Sequence, residues 1–216
     1  MSRVRVDDRH PVFKLTHQIA KKGVLGTDFD YQRTDFSFQK RFWLNFLGYA
    51  DVTLETGKVW TQAPYTLLSM PNANTGYTIQ RGSFSQLNSM EFVYDQYASW
   101  NIVYKMNGLF FNSLPFIRHL KLREVLSFRG VYGSLSDKND PEKKMQDGVT
   151  PLNPEVYRFP SNGKVYRLGD TPYMEAAVGI DNIFKVLRIE YIRRLNYLDH
   201  ENVSKNGFQI ALGINF

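Results

Sequence analysis

The 216-residue sequence predicts an all-β protein, and more specifically a transmembrane antiparallel up-and-down β-barrel. Three observations lead to this prediction. Apolar and polar residues alternate with a period of two in about eight segments, and two is the period of a β-strand. Tyr and Phe are abundant, with 13 and 16 residues, as expected where aromatic belts mark the two membrane interfaces. The final residues, 206–216, alternate strictly and end on Phe216, as the closing strand of an outer-membrane barrel usually does.

The first four strands are predicted between Pro11 and Met106. The first lies near Pro11–Ala20, the second spans about Asp28–Leu44, the third spans Tyr49–Trp60 and the fourth spans Glu91–Met106. In the second to fourth strands most apolar residues fall on one side and polar residues on the other. The apolar rows are Phe36, Phe38, Phe42 and Leu44; Ala50, Val52, Leu54 and Trp60; and Phe92, Tyr94, Ala98, Trp100, Ile102, Tyr104 and Met106.

The next three strands are predicted at His119–Gly133, Pro172–Ile180 and Val186–Tyr197. Glu124 interrupts the apolar row of the fifth strand, which a bulge or a later entry into the bilayer would explain. Arg193 lies on the apolar side of the seventh strand, and the pattern offers no explanation for it. The apolar rows are Leu120, Leu122, Leu126, Phe128 and Tyr132; Met174, Ala176, Val178 and Ile180; and Leu187, Ile189, Tyr191, Leu195 and Tyr197.

The eighth strand, Asn206–Phe216, is predicted to close the barrel and to carry the signal that the barrel-assembly machinery reads during insertion. Its apolar residues alternate with small or polar ones. Loss of the terminal aromatic residue is expected to damage insertion most, so replacement by Ser would test this signal. The signal residues are Phe208, Ile210, Leu212, Ile214 and Phe216.

The connections between predicted strands alternate in length, as they do in outer-membrane barrels. The two longest, 61–90 and 134–171, are assigned to the extracellular side. Residues 1–10 form an N-terminal remnant or periplasmic lead-in to the strands of 11–216. They carry no secretory signal, so the chain is expected to be the C-terminal part of a longer precursor. The other extracellular links are 21–27 and 199–205, and the periplasmic links are 45–48, 107–118 and 181–185.

Charged residues of both signs alternate with the apolar rows and are therefore expected to face the barrel interior. One interpretation is a salt-bridged plug that holds a small barrel rigid, because eight strands leave an interior just wide enough for side chains. The rival interpretation is a selectivity lining along a solute path. The predicted network consists of Glu55, Glu91, Asp95, Arg123, Arg129, Arg188, Glu190 and Arg194.

Motifs for catalysis or cofactor binding are weak, and no catalytic, cofactor or metal site is predicted. The four histidines lack metal-ligand spacing, and the chain has no Cys. Asp137, Asn139 and Asp140 are potential Ca²⁺ ligands without the EF-hand spacing. A barrel hydrolase would draw its groups from the predicted extracellular rim, where Ser134, Ser136, Asp199 and His200 are the candidates. The net charge of +6 is attributed to basic loops rather than to nucleic-acid binding.

Three stretches carry a resemblance to a family of unknown function from Gram-negative bacteria. They are KVWTQAPYTLLSMPNAN, the run from NSMEFVYDQYASW to GSLSDKN, and PYMEAAVGIDNIFKVLRIEYIRRLNYLD. The resemblance spans roughly residues 11–216. It implies an outer-membrane barrel, distantly similar to the surface-antigen barrels of BamA and its relatives. In that family an N-terminal carboxypeptidase-regulatory-like sandwich domain typically precedes the barrel, and that label does not imply a peptidase site.

The sequence therefore predicts a non-enzymatic outer-membrane component, made of the C-terminal eight strands of a barrel of about sixteen. Its role would be BamA-like assembly or translocation, or the anchoring of a periplasmic domain. In the first role the closing strand would form a seam with the first strand of the barrel. The expected partners are outer-membrane lipid, lipopolysaccharide, the barrel-assembly machinery, and the preceding strands or domain of the precursor. The alternatives are an outer-membrane barrel enzyme and a soluble eight-stranded ligand-binding barrel.

Overall fold

The structure is a computed structural model that describes residues 10–24, 26–140, 143 and 165–212. Its described residues form ten strands and four single-turn 3₁₀ helices, with no α-helix among them. The 3₁₀ helices are Asn45–Leu47, Tyr65–Leu67, Phe111–Ser113 and Arg118–Leu120. The strands are β1 (Val12–Ala20), β2 (Tyr31–Trp43), β3 (Tyr49–Val59), β4 (Phe92–Val93), β5 (Gln96–Lys105), β6 (Arg123–Ser134), β7 (Tyr166–Arg167), β8 (Tyr173–Ile183), β9 (Leu187–Arg194) and β10 (Asn206–Leu212).

Eight of these strands form one antiparallel sheet in the order β1-β2-β3-β5-β6-β8-β9-β10. β4 and β7 pair separately as a short parallel ribbon. The predicted all-β class, the eight strands and their up-and-down order are confirmed. The fourth predicted strand is divided, because the chain leaves β4 at Val93 and enters the main sheet at Gln96. β1 and β10 pair with only one sheet neighbour each, so the described sheet is open rather than closed into a barrel.

The register places most residues of the predicted apolar rows side by side on one surface, named here the apolar face. Its large side chains are exposed: Leu15 to 72%, Val178 to 55% and Phe208 to 67% of their area. The opposite surface, the polar face, carries the intervening residues. It is mostly buried on β6, β8, β9 and β10, and mostly half-buried or exposed on β1, β2, β3 and β5. The pairs that align the apolar face are Leu15↔Phe36, Phe38↔Leu54, Leu54↔Trp100, Ile102↔Phe128, Leu126↔Val178, Val178↔Tyr191 and Tyr191↔Phe208.

This part of the polar face is buried because residues 61–91, the inserted segment, fold back onto it. This segment contains the whole 61–90 connection, which the sequence predicts as a long extracellular loop. Two small apolar clusters lie where the segment meets the sheet and β4. The first is Phe84, Leu87, Phe92, Tyr94, Val131, Leu168 and Tyr173, and the second is Val59, Ala63, Leu68 and Val93.

The structure resolves two irregularities in the apolar rows. Glu124 lies on the apolar face as predicted, and its Oε1 accepts the N–H groups of Phe110 and Phe111, both at 2.8 Å. The carboxylate thereby caps the 3₁₀ turn of the 107–118 link, so no bulge is needed. Phe92, Tyr94 and Tyr197 were predicted in apolar rows, and these predictions were wrong. Phe92 and Tyr94 are buried in one apolar cluster with Val131 and Tyr173. β9 ends at Arg194, and the turn at Tyr197, with φ of 54°, brings its ring within 5.0 Å of the Phe92 ring.

Three predicted features lie wholly or partly outside the described residues. Ile214 and Phe216 of the insertion signal are among them, as is nearly all of the 1–10 lead-in. Of the connection 134–171, only its ends and residue 143 are described, and β7 lies near its C-terminal end.

Candidate functional site

A buried ion pair on the polar face joins the inserted segment to the end of β9. Arg194 Nη2 lies 2.6 Å from Glu91 Oε1, and Nη1 lies 3.0 Å from Oε2, so the guanidinium holds the carboxylate with two hydrogen bonds. The Arg194 side chain is 0% exposed and that of Glu91 is 2% exposed. His200 Nδ1 lies 2.8 Å from Glu91 Oε1, and its ring stacks on Tyr166 at 3.9 Å. Sequence reasoning named Glu91 and Arg194 but missed His200 as their neighbour.

The Arg194 guanidinium uses its remaining donors on backbone carbonyls. Nη2 donates to Tyr197 O at 2.8 Å, and Nε donates to Asn196 O at 3.1 Å. Its Cζ lies 4.8 Å from the centre of the Tyr173 ring. The buried cation is thus satisfied by a carboxylate, carbonyls and an aromatic face, as a buried charge must be.

Glu175 binds the inserted segment through the backbone. The N–H groups of Ser85 and Gln86 donate to its two carboxylate oxygens at 2.9 and 2.7 Å, and Tyr173 Oη donates at 2.7 Å. Glu175 is on the polar side of β8, yet it was left out of the predicted charge network. Glu175 lies opposite Arg129 and Arg194 in the register, yet its carboxylate binds backbone N–H groups. The sequence pattern does not show which backbone groups come near it.

Two further side chains of the sheet complete the attachment of the segment. Arg129 Nη1 donates to Ser83 O at 2.6 Å. On β10, Gln209 accepts a hydrogen bond from Ser85 Oγ at 2.8 Å and donates to Gly76 O at 3.2 Å. The inserted segment is therefore held by β6, β8, β9 and β10 together.

The predicted charge network is only partly brought together. Asp95 lies away from the central pair and accepts hydrogen bonds from Ser136 and from Asn139 Nδ2. Arg188 pairs with Glu190 on the same side of β9. Glu55 and Arg123 are exposed, and no ion pair among the described residues involves them. Of the eight predicted charges, Glu91, Arg129 and Arg194 hold the inserted segment.

Hydrogen bonding keeps Glu91 ionised despite its burial. Burial alone would raise the pKa of its carboxyl group. The hydrogen bonds from Arg194, His200 and the Asn88 N–H oppose this effect and hold the pKa below its usual value. Glu91 is therefore an anion at neutral pH, and its negative charge balances the positive charge of the buried Arg194 guanidinium.

The residues considered for catalysis bond to separate partners. Ser136 contacts Asp95, Gln96 donates to Ser134 Oγ at 2.6 Å, and His200 contacts Glu91. Among the described residues, no group of three or more His, Asp or Glu side chains could hold a metal ion. The described part of the chain also has no helix of the length and apolarity needed to span a membrane.

The profile of a family of unknown function, the C-terminal domain of DUF5686, matches residues 1–138. The chain belongs to this family. The DUF5686 match covers β1 to β6 and the whole inserted segment, including Glu91 and Arg129. The partners of that segment on β8, β9 and β10 follow the matched region. No curated protein sequence matches the chain.

Proposed function

We propose that the chain is a non-enzymatic, membrane-spanning part of an outer-membrane β-barrel, with the apolar face toward lipid. The distribution of side chains between the two faces carries this proposal. Large apolar residues are exposed on one surface of the sheet, and the buried surface holds Glu91, Arg129, Glu175, Glu190 and Arg194. A soluble ligand-binding barrel would show the opposite arrangement, with apolar residues inside.

The length of the strands is consistent with a bilayer. β3 has 11 residues, which at about 3.3 Å per residue span about 36 Å. At a tilt of about 40° such a strand rises about 28 Å, close to the height of a lipid-facing band. Trp60 follows one end of β3, and Phe42, which is 42% exposed and pairs with Ala50, lies on the same face near the other end. Aromatic residues thus flank the apolar face, as they do at membrane interfaces.

The inserted segment favours an anchoring role over a solute path. It binds the polar face with hydrogen bonds to four strands. The buried charges there pair with each other or bind backbone groups of the segment, and they are not aligned along a channel. The anchored partner would be a periplasmic domain or further strands of the same protein. A BamA-like assembly or translocation role is the second candidate. It is supported by the edges of β1 and β10, neither of which has a second strand of the main sheet beside it.

Depth-dependent tryptophan quenching tests the membrane proposal. The chain has three Trp residues, and Trp→Phe replacements leave single-Trp variants with Trp60 or Trp100. Trp100 pairs with Leu54 in the middle of β3, whereas Trp60 follows the end of that strand. In liposomes of brominated lipid, we expect Trp100 to be quenched most by bromine deep in the acyl chain. Trp60 should be quenched most by bromine near the headgroup. Absence of quenching at both positions would contradict the proposal.

A charge placed on the apolar face provides an independent test. Val178 is 55% exposed, so on a soluble surface its replacement by Arg would cost little. Facing lipid near the middle of the sheet, Val178→Arg should lower the free energy of unfolding by about 2–4 kcal/mol. Val178→Leu is the matched control and should remain near wild type. Urea unfolding of the protein folded in liposomes measures both, and equal stability of the two variants would argue for a soluble protein.

A further inference from the structure

The inserted segment also reaches the free edge of the last described strand. The Ile79 N–H donates to Ile210 O at 2.9 Å, and the Ile210 N–H donates to Tyr77 O at 2.9 Å. Thr78 therefore lies beside Ile210 in a parallel bridge. Residues 77–79 occupy the position in which the next strand of the sheet would lie.

Side chains hold this contact in place along β10. Gln209 bonds to Gly76 O and to Ser85 Oγ, at 3.2 and 2.8 Å. The Gln86 amide group lies against Gly207, where any Cβ would collide with it. The edge is thus covered by a segment whose side chains fit the polar side of β10.

The bridge uses only a small part of the pairing capacity of the edge. Alternate residues of a strand direct their backbone groups to the same side, so Phe208 and Leu212 face this edge together with Ile210. Within the described residues, neither makes a backbone hydrogen bond toward it. On its other side β10 forms seven antiparallel pairs with β9. An antiparallel strand on the free edge would use all three residues, and such pairing is slightly more stable per residue than parallel pairing.

We propose that the β10 edge is a strand-pairing surface and that Tyr77–Ile79 is its internal placeholder. The partner would be an antiparallel strand whose alternating apolar residues continue the apolar face. β1 shows the required pattern, with Phe13, Leu15 and Ile19 on one side and polar residues between them, and one of its own edges is unpaired. The partner strand and the placeholder compete for the same backbone groups.

A disulfide lock tests this competition, because the chain contains no Cys. Thr78→Cys combined with Ile210→Cys places one thiol on each side of the bridge. The probe is a fluorescent peptide with the β1 sequence VFKLTHQIA, added to the whole chain folded in detergent micelles. By fluorescence anisotropy, we expect the reduced protein to bind it and the oxidised protein to bind at least about tenfold more weakly. A scrambled peptide of the same composition should not bind either form.

A second pair of variants does not depend on the disulfide. Ile79→Pro removes the N–H that binds Ile210, whereas Ile79→Ala keeps it. The first should raise peptide affinity about threefold or more over wild type, and the second should leave it near wild type. Circular dichroism and the gel shift between unheated and boiled samples establish that each variant is folded. Equal binding by the oxidised and reduced forms, or by the two peptides, would overturn the proposal. Peptide binding does not depend on whether the apolar face contacts lipid, so failure of this proposal can be distinguished from failure of the proposed membrane location.

Discussion

The Glu91 carboxylate accepts a hydrogen bond from Arg194 Nη2 at 2.6 Å, across 103 positions of the chain. This buried pair joins the C-terminal end of the inserted segment to the last residue of β9. Removing one member would leave the other charge buried without a counter-charge, which is far more costly than removing both. The pair is therefore the point at which the attachment of the segment can be tested most directly.

We predict that Glu91→Gln lowers the free energy of unfolding by about 3 kcal/mol, because Arg194 loses its counter-ion in a buried site. The double variant Glu91→Gln with Arg194→Met should recover part of this loss. Urea unfolding in detergent gives the free energy of unfolding of each variant. The coupling energy of the pair is the difference between the effect of the double variant and the sum of the two single effects. Full additivity of the two changes would contradict the role given to the pair.

Stability should also fall in acid because of Glu91. Its pKa is lower in the folded chain than the ordinary value of 4.5. A carboxyl with a lowered folded-state pKa stabilises the fold fully above its unfolded pKa, and this contribution is lost as pH falls through the folded pKa. The groups that face it are Arg194, His200 and the Asn88 N–H. Unfolding measured from about pH 6 to about pH 3 should show a steeper loss for wild type than for Glu91→Gln.

Glu175→Gln should loosen the inserted segment without unfolding the sheet. The Gln side-chain oxygen accepts hydrogen bonds more weakly than a carboxylate oxygen does. In the carboxylate, each oxygen accepts one of the Ser85 and Gln86 N–H groups, whereas the amide has only one acceptor oxygen, because its NH2 group is a donor. Hydrogen exchange should therefore accelerate at these two amides, while the β5 and β6 amides remain protected. Glu55→Gln on the same face, where the carboxylate is exposed, should leave all of them unchanged. Unaltered exchange in Glu175→Gln would mean that other contacts hold the segment.

Gly130→Ala should disturb the apolar face at one defined contact. The indole of Trp100 lies across Gly130 on the neighbouring strand, where a Cβ would collide with the ring. Displacement of the ring should cost about 1–3 kcal/mol and shift the fluorescence of Trp100. Gly169→Ala is the control, because its Cβ would lie 3.8 Å from the nearest atom, Tyr197 Oη. Equal stability of the two variants would show that the indole can move away freely.

The strands could be predicted from the sequence because each one must keep its apolar residues on a single side. Leu54, Trp100 and Phe128 fall in adjacent rows of the sheet, as their positions in the alternation require. The division of the fourth predicted strand was missed, although the alternation is interrupted there: Gln96 falls in the apolar row, and Val93 and Tyr97 fall in the polar row. The small parallel ribbon of β4 and β7 has no periodic signal in strands of two residues.

The site was predictable only in part. Buried charges on the polar face follow from the alternation, and Glu91 and Arg194 were named on that basis. Their pairing requires the inserted segment to fold back onto the sheet. The sequence of this segment has no periodicity and predicts an extracellular loop. Glu175 and Gln209 bind backbone groups of that segment, and a sequence does not show which backbone groups lack partners.

Folding order follows from the position of the inserted segment in the chain. The hydrogen bonds of Gln209 to Ser85 and Gly76 join residues 124 and 133 positions apart. Contacts of such long range form slowly, because the entropy of closing the intervening chain is lost before they stabilise anything. The hairpins β1–β2, β2–β3 and β5–β6 join near neighbours and can form first. The groups of residues 61–91 that bind Gln209 would thus stay hydrated until β10 joins the sheet.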